Sequence, residues 1–366
     1  MTTDFSALAT AGVQTLQPYQ PGKPEDELQR ELGLTDIVKL ASNENPLGPS
    51  EKALAAIADA SQNLGRYPDG SGFQLKATLA DLHNVAPAQI TLGNGSNDVL
   101  DLVARAFLGP GREAIFSEHA FAVYPIATAA VGATACVAKA DNYGHDLDAM
   151  AQLITDKTSV IFIANPNNPT GTWLSKGELK AFLKLVPSHV IVVLDEAYYE
   201  YVEQENYPNG LKLAKRYDNV IVTRTFSKIH GLAGLRIGYG ISHPEVADML
   251  NRVRQPFNCN SVALAAAQAA VLDEEHVVRS RELNSAGLAQ VRRGLQSLNR
   301  PFIDSVGNFL CVHVGDAALV YQKLLEKGVI TRPVAGYGMP EYLRVTIGLE
   351  SENQRFLDAL EAVLSE

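Results

Sequence analysis

Short continuous apolar runs alternate with amphipathic stretches along this chain. Ile90 to Leu92, Ala114 to Phe116, Thr134 to Val137, Val160 to Ile163, Val190 to Leu194, Val220 to Thr223 and Ile237 to Gly240 read as strands, most of them unbroken Val, Ile and Leu. Unbroken apolar strands are expected where both faces of a largely parallel sheet are covered. Helices over about Ser96 to Leu108, Ser175 to Val186 and Pro244 to Arg254 would supply that cover; the first sets Val99, Leu100, Leu102, Val103, Ala106 and Phe107 on one side. The pattern predicts an α/β fold with a mostly parallel central sheet.

Beyond these runs the pattern changes. Val262 to Leu272 is alanine-rich, interrupted by Gln268, and reads as a packed helix. Asp273 to Leu298 is a long charged helix bridging to a second unit, with strands near Asn308 to Val314 and Leu343 to Ile347 and helices at Ala317 to Lys327 and Glu352 to Leu364. Pro18-Tyr19-Gln20-Pro21-Gly22-Lys23-Pro24 reads as an extended arm by its prolines, placed over the active site or a partner subunit. The expected organisation is an arm over 1–45, a large domain over 46–255, and the bridging helix with a smaller C-terminal α/β domain over 256–366. A chain of 366 residues fits about two domains.

Charge and cysteine content narrow the function classes. The net charge is −10, and no Lys/Arg-rich run is present to neutralise phosphates, so a nucleic-acid partner is not expected. The three cysteines, Cys136, Cys259 and Cys311, lie far apart without zinc-ligand spacing and read as reduced core residues of a cytoplasmic protein. The eight histidines show no paired ligand spacing, so no metal is expected. The start lacks the basic and apolar regions of a signal peptide, and no run approaches the roughly 18 apolar residues of a membrane span.

Four segments carry candidate chemistry. In Thr225-Phe226-Ser227-Lys228, with Arg236 eight residues on, a lysine follows a strand and stands among hydroxyls. An amine attacks a carbonyl only when neighbouring cations or desolvation lower its pKa, and pyridoxal phosphate supplies such a carbonyl. Thr225, Ser227 and Arg236 would then hold the phosphate. The strand Val190 to Leu194 ends on Asp195, a carboxylate in a dry place that can keep a pyridine nitrogen protonated, and Tyr198 can reach the ring hydroxyl. Asn165 to Gly171, rich in Asn and Pro, forms a loop offering Asn168 to the same hydroxyl. Gly93-Asn94-Gly95-Ser96-Asn97-Asp98 joins a strand to a helix and makes an anion site from free helix amides, whereas Asp98 at the third-glycine position argues against a dinucleotide.

In order and spacing these segments resemble the pyridoxal-phosphate aminotransferases of fold type I. Asn43-Glu44-Asn45-Pro46-Leu47-Gly48, Arg66-Tyr67-Pro68 and Tyr342 to Gly348 are similar to the histidinol-phosphate aminotransferase branch. The resemblance implies a homodimer with shared active sites. Lys228 would be the Schiff-base lysine and proton carrier, Asp195 the partner of the pyridine nitrogen, and Asn168 with Tyr198 the partners of the ring oxygen. Gly95, Ser96, Asn97, Ser227 and Arg236 would form the phosphate site, joined by Tyr67 of the second subunit. Phe121 falls where the family stacks an aromatic, often tyrosine, on the cofactor ring.

For the substrates, the resemblance implies Arg344 as the clamp for the carboxylate of glutamate or the phosphate of histidinol phosphate, a role that suits a guanidinium fork. Arg332 would add a second charge for phosphate, and Asn43, Glu44 and Tyr19 would read the rest of the substrate. The expected reaction moves an amino group between histidinol phosphate and 2-oxoglutarate in histidine biosynthesis. Aromatic aminotransferases and a threonine-phosphate decarboxylase share much of the pattern, because the bond broken depends on how the substrate is placed over the ring. His230, inside the lysine segment, reads as local packing.

Overall fold

The computed structural model describes residues 3–366. Its centre is a seven-stranded sheet built from β1 (Ile90–Gly93), β2 (Glu113–Ser117), β3 (Thr134–Ala138), β4 (Thr158–Ala164), β5 (Ile191–Asp195), β6 (Val220–Thr225) and β7 (Gly238–Ile241). The order across it is β1-β7-β6-β5-β4-β2-β3. β3, β2, β4, β5 and β6 pair in parallel, while β7 runs antiparallel between β6 and β1. Alternation within the apolar strands explains why they are unbroken. Ile161, Ile163, Val192, Leu194 and Val222 enter the core on one face, and Val160, Phe162, Ile191, Val193 and Ile221 enter the core on the other. Each such side chain contributes about 1.5–3 kcal/mol when fully buried.

Three helices that the pattern did not indicate complete the cover: Phe73–His83 and Val123–Ala130 pack on the sheet, and Glu51–Ala60 packs on the alanine-rich helix Ser261–Val271. The helix Val123–Ala130 contains Pro125, which reads as a helix breaker but sits in the first turn, where its missing N–H is no loss. The helix expected over Ser175 to Val186 is shorter, Lys176–Leu183, started by a capping box from Ser175 and Glu178. Cys259 and Cys311 are buried, but Cys136 is only partly so, because β3 is an edge strand with exposed neighbours. His230 is buried against the Phe226 ring at 5.1 Å, and burial lowers its pKa to about 4, so it is neutral.

The C-terminal layer is an antiparallel sheet of β8 (Phe302–Ile303), β9 (Phe309–His313), β10 (Arg332–Pro333) and β11 (Tyr342–Thr346), ordered β8-β9-β11-β10. Leu310, Val312, Leu343, Val345, Phe356 and Leu360 form its core with the helix Glu350–Ser365. Val38–Lys39 pairs in parallel with Val329–Ile330, and the Leu40 amide donates to the Ile330 carbonyl while the Leu40 carbonyl accepts from the Thr346 amide. That anchoring carries Ala41, Ser42 and Asn43 to the boundary between the two layers. The 24-residue helix Glu274–Ser297 connects them. Among the described residues no helix is long and apolar enough to cross a membrane.

Candidate active site

A cavity of about 190 Å³ opens at the carboxyl ends of β4, β5 and β6, between the two layers. Parallel register produces this convergence: Ala164 pairs with Asp195, and Asp195 with Thr223, so the three strands end side by side. Ligands of open α/β sheets bind at such ends.

One end of the cavity is built for an anion. The helix Ser96–Phe107 starts at Gly95 with φ +86 and no side-chain cap, leaving its first amides without partners inside the helix. Two glycines permit the approach. A Cβ on Gly95 would lie 2.5 Å from Arg236 Nη2, and one on Gly238 would lie 2.4 Å from the Ser96 amide nitrogen. Asp98, which displaces the third glycine of a dinucleotide turn, instead accepts from the Asn94 amide at 2.8 Å and fixes the loop. Arg236 donates to Ser227 Oγ at 3.2 Å, and the Ser227 amide donates to Thr225 Oγ1 at 3.1 Å. The Arg236 backbone is left-handed, φ +56, which costs roughly 1–2 kcal/mol in a residue with a Cβ. Ser96, Asn97, Thr225, Ser227 and Arg236 all line the cavity; Gly95 stands directly behind the guanidinium.

The middle is lined by Phe121, Asn168, Asp195 and Tyr198. Asp195 is buried, and desolvation pushes its carboxyl above the ordinary range, opposed by donors from Tyr124 and Thr223. Tyr124 OH donates to Oδ2 and Thr223 Oγ1 to Oδ1, each at 2.9 Å. Tyr198 OH accepts from Asn43 Nδ2 at 2.9 Å, which leaves its own proton to give; burial holds the phenol at a pKa of about 12. Glu196, next in sequence, faces the other side of the sheet in a buried pair with Arg224 at 2.8 Å.

Lys228 reaches into this space from the turn after β6, its Nζ donating to the Ser42 carbonyl at 3.0 Å. Desolvation, reinforced by Arg344 and Arg236 and opposed by Glu44, lowers its pKa from 10.5 to about 7. An amine in that state is unprotonated about half the time at neutral pH. Carbonyl reagents should therefore modify Lys228 with a rate that rises with pH and levels off above about 7, while ordinary lysines continue to gain reactivity toward 10.5. Peptide mapping after timed labelling of the cofactor-free chain measures this; a midpoint near 10 for Lys228 would contradict the depressed value.

At the far end β11 supplies Arg344, which donates to Asn168 Oδ1 at 2.5 Å and to the Ala41 carbonyl at 2.6 Å. Its Nε is buried without a partner. Arg332 donates to the Gln20 carbonyl at 2.5 Å and lies 5.4 Å from the Tyr19 ring centre, so the N-terminal arm closes this side. Tyr19, Asn43 and Arg332 line the same cavity, whereas Glu44 does not and pairs with Lys39 at 2.9 Å.

Tyr67, like Glu44, is an expected site residue that the single chain leaves outside the cavity. It is 83 % exposed and stacks on Phe257 with ring centres 4.8 Å apart. Conversely, Tyr124, Thr223 and the Ala41 and Ser42 carbonyls bond the site side chains. Of these only Tyr124 bears a local mark in the sequence, lying three residues after Phe121, one helical turn on.

Residues 35–360 match the family model "Aminotransferase class I and II". Histidinol-phosphate aminotransferase 2 of Pseudomonas fluorescens is 61% identical over 368 residues, covering 100% of both chains. The enzyme of the same name from Pseudomonas aeruginosa is 60% identical over 366 residues, covering 99% of each. Among solved structures, histidinol-phosphate aminotransferase from Sinorhizobium meliloti, in complex with pyridoxal-5'-phosphate, superposes with a TM-score of 0.87 at 26% identity over 97% of both chains.

Proposed function

This chain belongs to the class I and II aminotransferase family, and from that premise we propose that it transfers the amino group between L-histidinol phosphate and 2-oxoglutarate, giving imidazole-acetol phosphate and L-glutamate in histidine biosynthesis. The observation that carries this reading is full-length identity of 61% to an enzyme of that name. The cavity is consistent with it, having a buried carboxylate, a lysine of lowered pKa and an arginine fork around one space.

The residues fit pyridoxal phosphate. The glycine-lined helix N-terminus with Arg236 suits its phosphate, and Asp195 in a dry wall suits its ring nitrogen. When bound, this cofactor supplies a carbonyl that takes up an amine and a protonated ring that accepts the electrons freed at the amine-bearing carbon. Ser96, Asn97, Thr225, Ser227 and Arg236 hold the phosphate in this reading. Asp195 would keep the ring nitrogen protonated, Tyr198 and Asn168 would serve the ring oxygen, and Phe121 would pack on the ring. Lys228 Nζ would take the proton from the amine-bearing carbon of the substrate and deliver it to the carbon of the cofactor's former carbonyl, a role suited to a pKa of about 7. Arg344 binds the carboxylate or phosphate of the substrate, and Arg332 with Tyr19 and Asn43 completes that end.

The decisive assay follows glutamate and carbon dioxide separately while pure protein, cofactor, histidinol phosphate and 2-oxoglutarate react. Glutamate formed without carbon dioxide is the expected result. Carbon dioxide release would indicate decarboxylation, and glutamate formed only when an aromatic amino acid replaces histidinol phosphate would move the substrate assignment.

The working form in this reading is a cytoplasmic homodimer in which Tyr67 completes the phosphate site of the partner subunit. Its exposure beside Phe257 supports the reading, since large apolar rings clustered on a surface mark contact sites. Removing its hydroxyl with Tyr67→Phe should weaken cofactor retention by roughly 10- to 150-fold, the worth of one charge-assisted hydrogen bond. A mixed dimer of Lys228→Ala and Tyr67→Phe subunits then keeps one site with both native residues, and should show about half of wild-type activity per dimer at limiting cofactor. Activity no higher than that of the Tyr67→Phe homodimer would reject shared sites.

A further inference from the structure

We propose that Tyr124 is the positioning residue for Asp195, its phenol holding the aspartate as an ionised carboxylate in the orientation that faces the cofactor ring; this rests on the cofactor role proposed for Asp195. The carboxylate is gripped from two elements. Tyr124, on the helix Val123–Ala130, donates to Oδ2, and Thr223, on the neighbouring strand β6, donates to Oδ1, both at 2.9 Å. Rotation of the carboxylate would break one of these bonds, so its plane is set while lone pairs remain on the cavity side.

Tyr124 is itself held rigidly. It is wholly buried, its ring stacks on Phe162 with centres 4.8 Å apart and planes within 8°, and Phe121 meets its edge at 6.0 Å and 87°. Thr128 Oγ1 donates to the Tyr124 carbonyl at 2.7 Å. The same side chain thus touches the aspartate and Phe121, the aromatic that lines the cavity.

A buried carboxylate without donors would take up a proton and lose its hold on a ring nitrogen. Desolvation drives Asp195 that way, and the Tyr124 hydroxyl, the Thr223 hydroxyl and the Ala197 amide oppose it. The other titratable groups nearby do not replace them. Tyr198 is engaged by Asn43, Glu196 is paired with Arg224 across the sheet, and Lys228 donates to Ser42. Burial and the adjacent aspartate push the Tyr124 phenol well above 10, so it remains a donor at every working pH.

The test titrates the Asp195 carboxyl in the full-length, cofactor-free chain by isotope-edited infrared difference spectroscopy, with Asp195→Asn identifying its band. Tyr124→Phe keeps the stacked ring and removes only the donor. It should raise the Asp195 midpoint by roughly one to two pKa units, since a hydrogen bond to a charged group is worth about that much. It should also weaken cofactor retention by roughly 10-fold. Placing 3-fluorotyrosine at position 124, a stronger donor of nearly the same shape, should move the midpoint the opposite way. Midpoints unchanged in Tyr124→Phe, or moved in the same direction by both variants, would overturn the proposal. Should Tyr124→Phe not fold, the fluorinated chain decides: a lowered midpoint supports the role, and an unchanged or raised one removes it. Asp195→Asn that retains cofactor as tightly as wild type would instead defeat the role of Asp195, which the Tyr124 titrations do not depend on.

Discussion

Lys228→Ala should lower turnover by roughly 10⁴-fold, the upper end for loss of a positioned acid and base. Both half-reactions need a group that removes a proton from the amine-bearing carbon, and Lys228 is the amine in the cavity with a pKa of about 7. Lys228→Arg should be about as inactive, because a guanidinium keeps the charge but never gives up its proton. Single-turnover absorbance of the cofactor with glutamate measures the step directly; a loss under about ten-fold in either variant would assign the proton transfer elsewhere. The loss should carry no cost in stability. The folded lysine titrates near 7 and the unfolded one near 10.5, so between those values the unfolded chain binds more protons and the wild type gains stability as pH rises. Below pH 7 the full penalty of a buried cation beside Arg344 and Arg236 is present. Lys228→Ala should therefore melt at an equal or higher temperature than wild type at pH 7, with the difference closing toward pH 10.

Arg344→Ala should lower kcat/KM for both substrates by roughly 10²–10⁴-fold. Two charge-assisted hydrogen bonds at about 1.5–3 kcal/mol each account for that range. Asn168 and the Ala41 carbonyl fix the guanidinium plane before any substrate arrives, so little entropy is lost on binding. Arg344→Lys should recover little, since an ammonium offers no planar fork. Arg332 should behave differently. A phosphate has an oxygen left for a second guanidinium, whereas a carboxylate does not. Arg332→Ala should thus lower kcat/KM by roughly 10- to 150-fold for histidinol phosphate and only about two-fold for glutamate. Half-reactions measured separately distinguish the two. Equal losses would mean that Arg332 acts by tying down the arm through Gln20, a contact it makes in this structure.

The strands were legible because burial on both faces leaves the same mark wherever it occurs. Val190 to Leu194 and Val160 to Ile163 needed no partner information to be read as central strands, and Asp195 and Lys228 were legible as polar residues placed just beyond such strands. The helix Val123–Ala130 was not, because its residues are apolar on every side and Pro125 reads as a breaker until its place in the first turn is known. The short strand Val38–Lys39 was equally hidden, being two residues whose pairing with Val329–Ile330 depends on the folded C-terminal layer.

By itself, the sequence determined the kind of chemistry: a lysine, an aspartate, a glycine-led anion turn and an arginine, each attached to an element whose period or capping is local. Only the tertiary structure decided which groups meet. Tyr124 and Asp195 are 71 positions apart, Arg344 and Asn168 176, and Lys228 and Ser42 186. Such meetings follow from strand register and from the packing of one layer on another, and a register shift of one residue would turn the strand residues Asp195 and Arg344 to the opposite face. The lowered pKa of Lys228 is of the same kind. It arises from burial and from two arginines brought in by other parts of the chain.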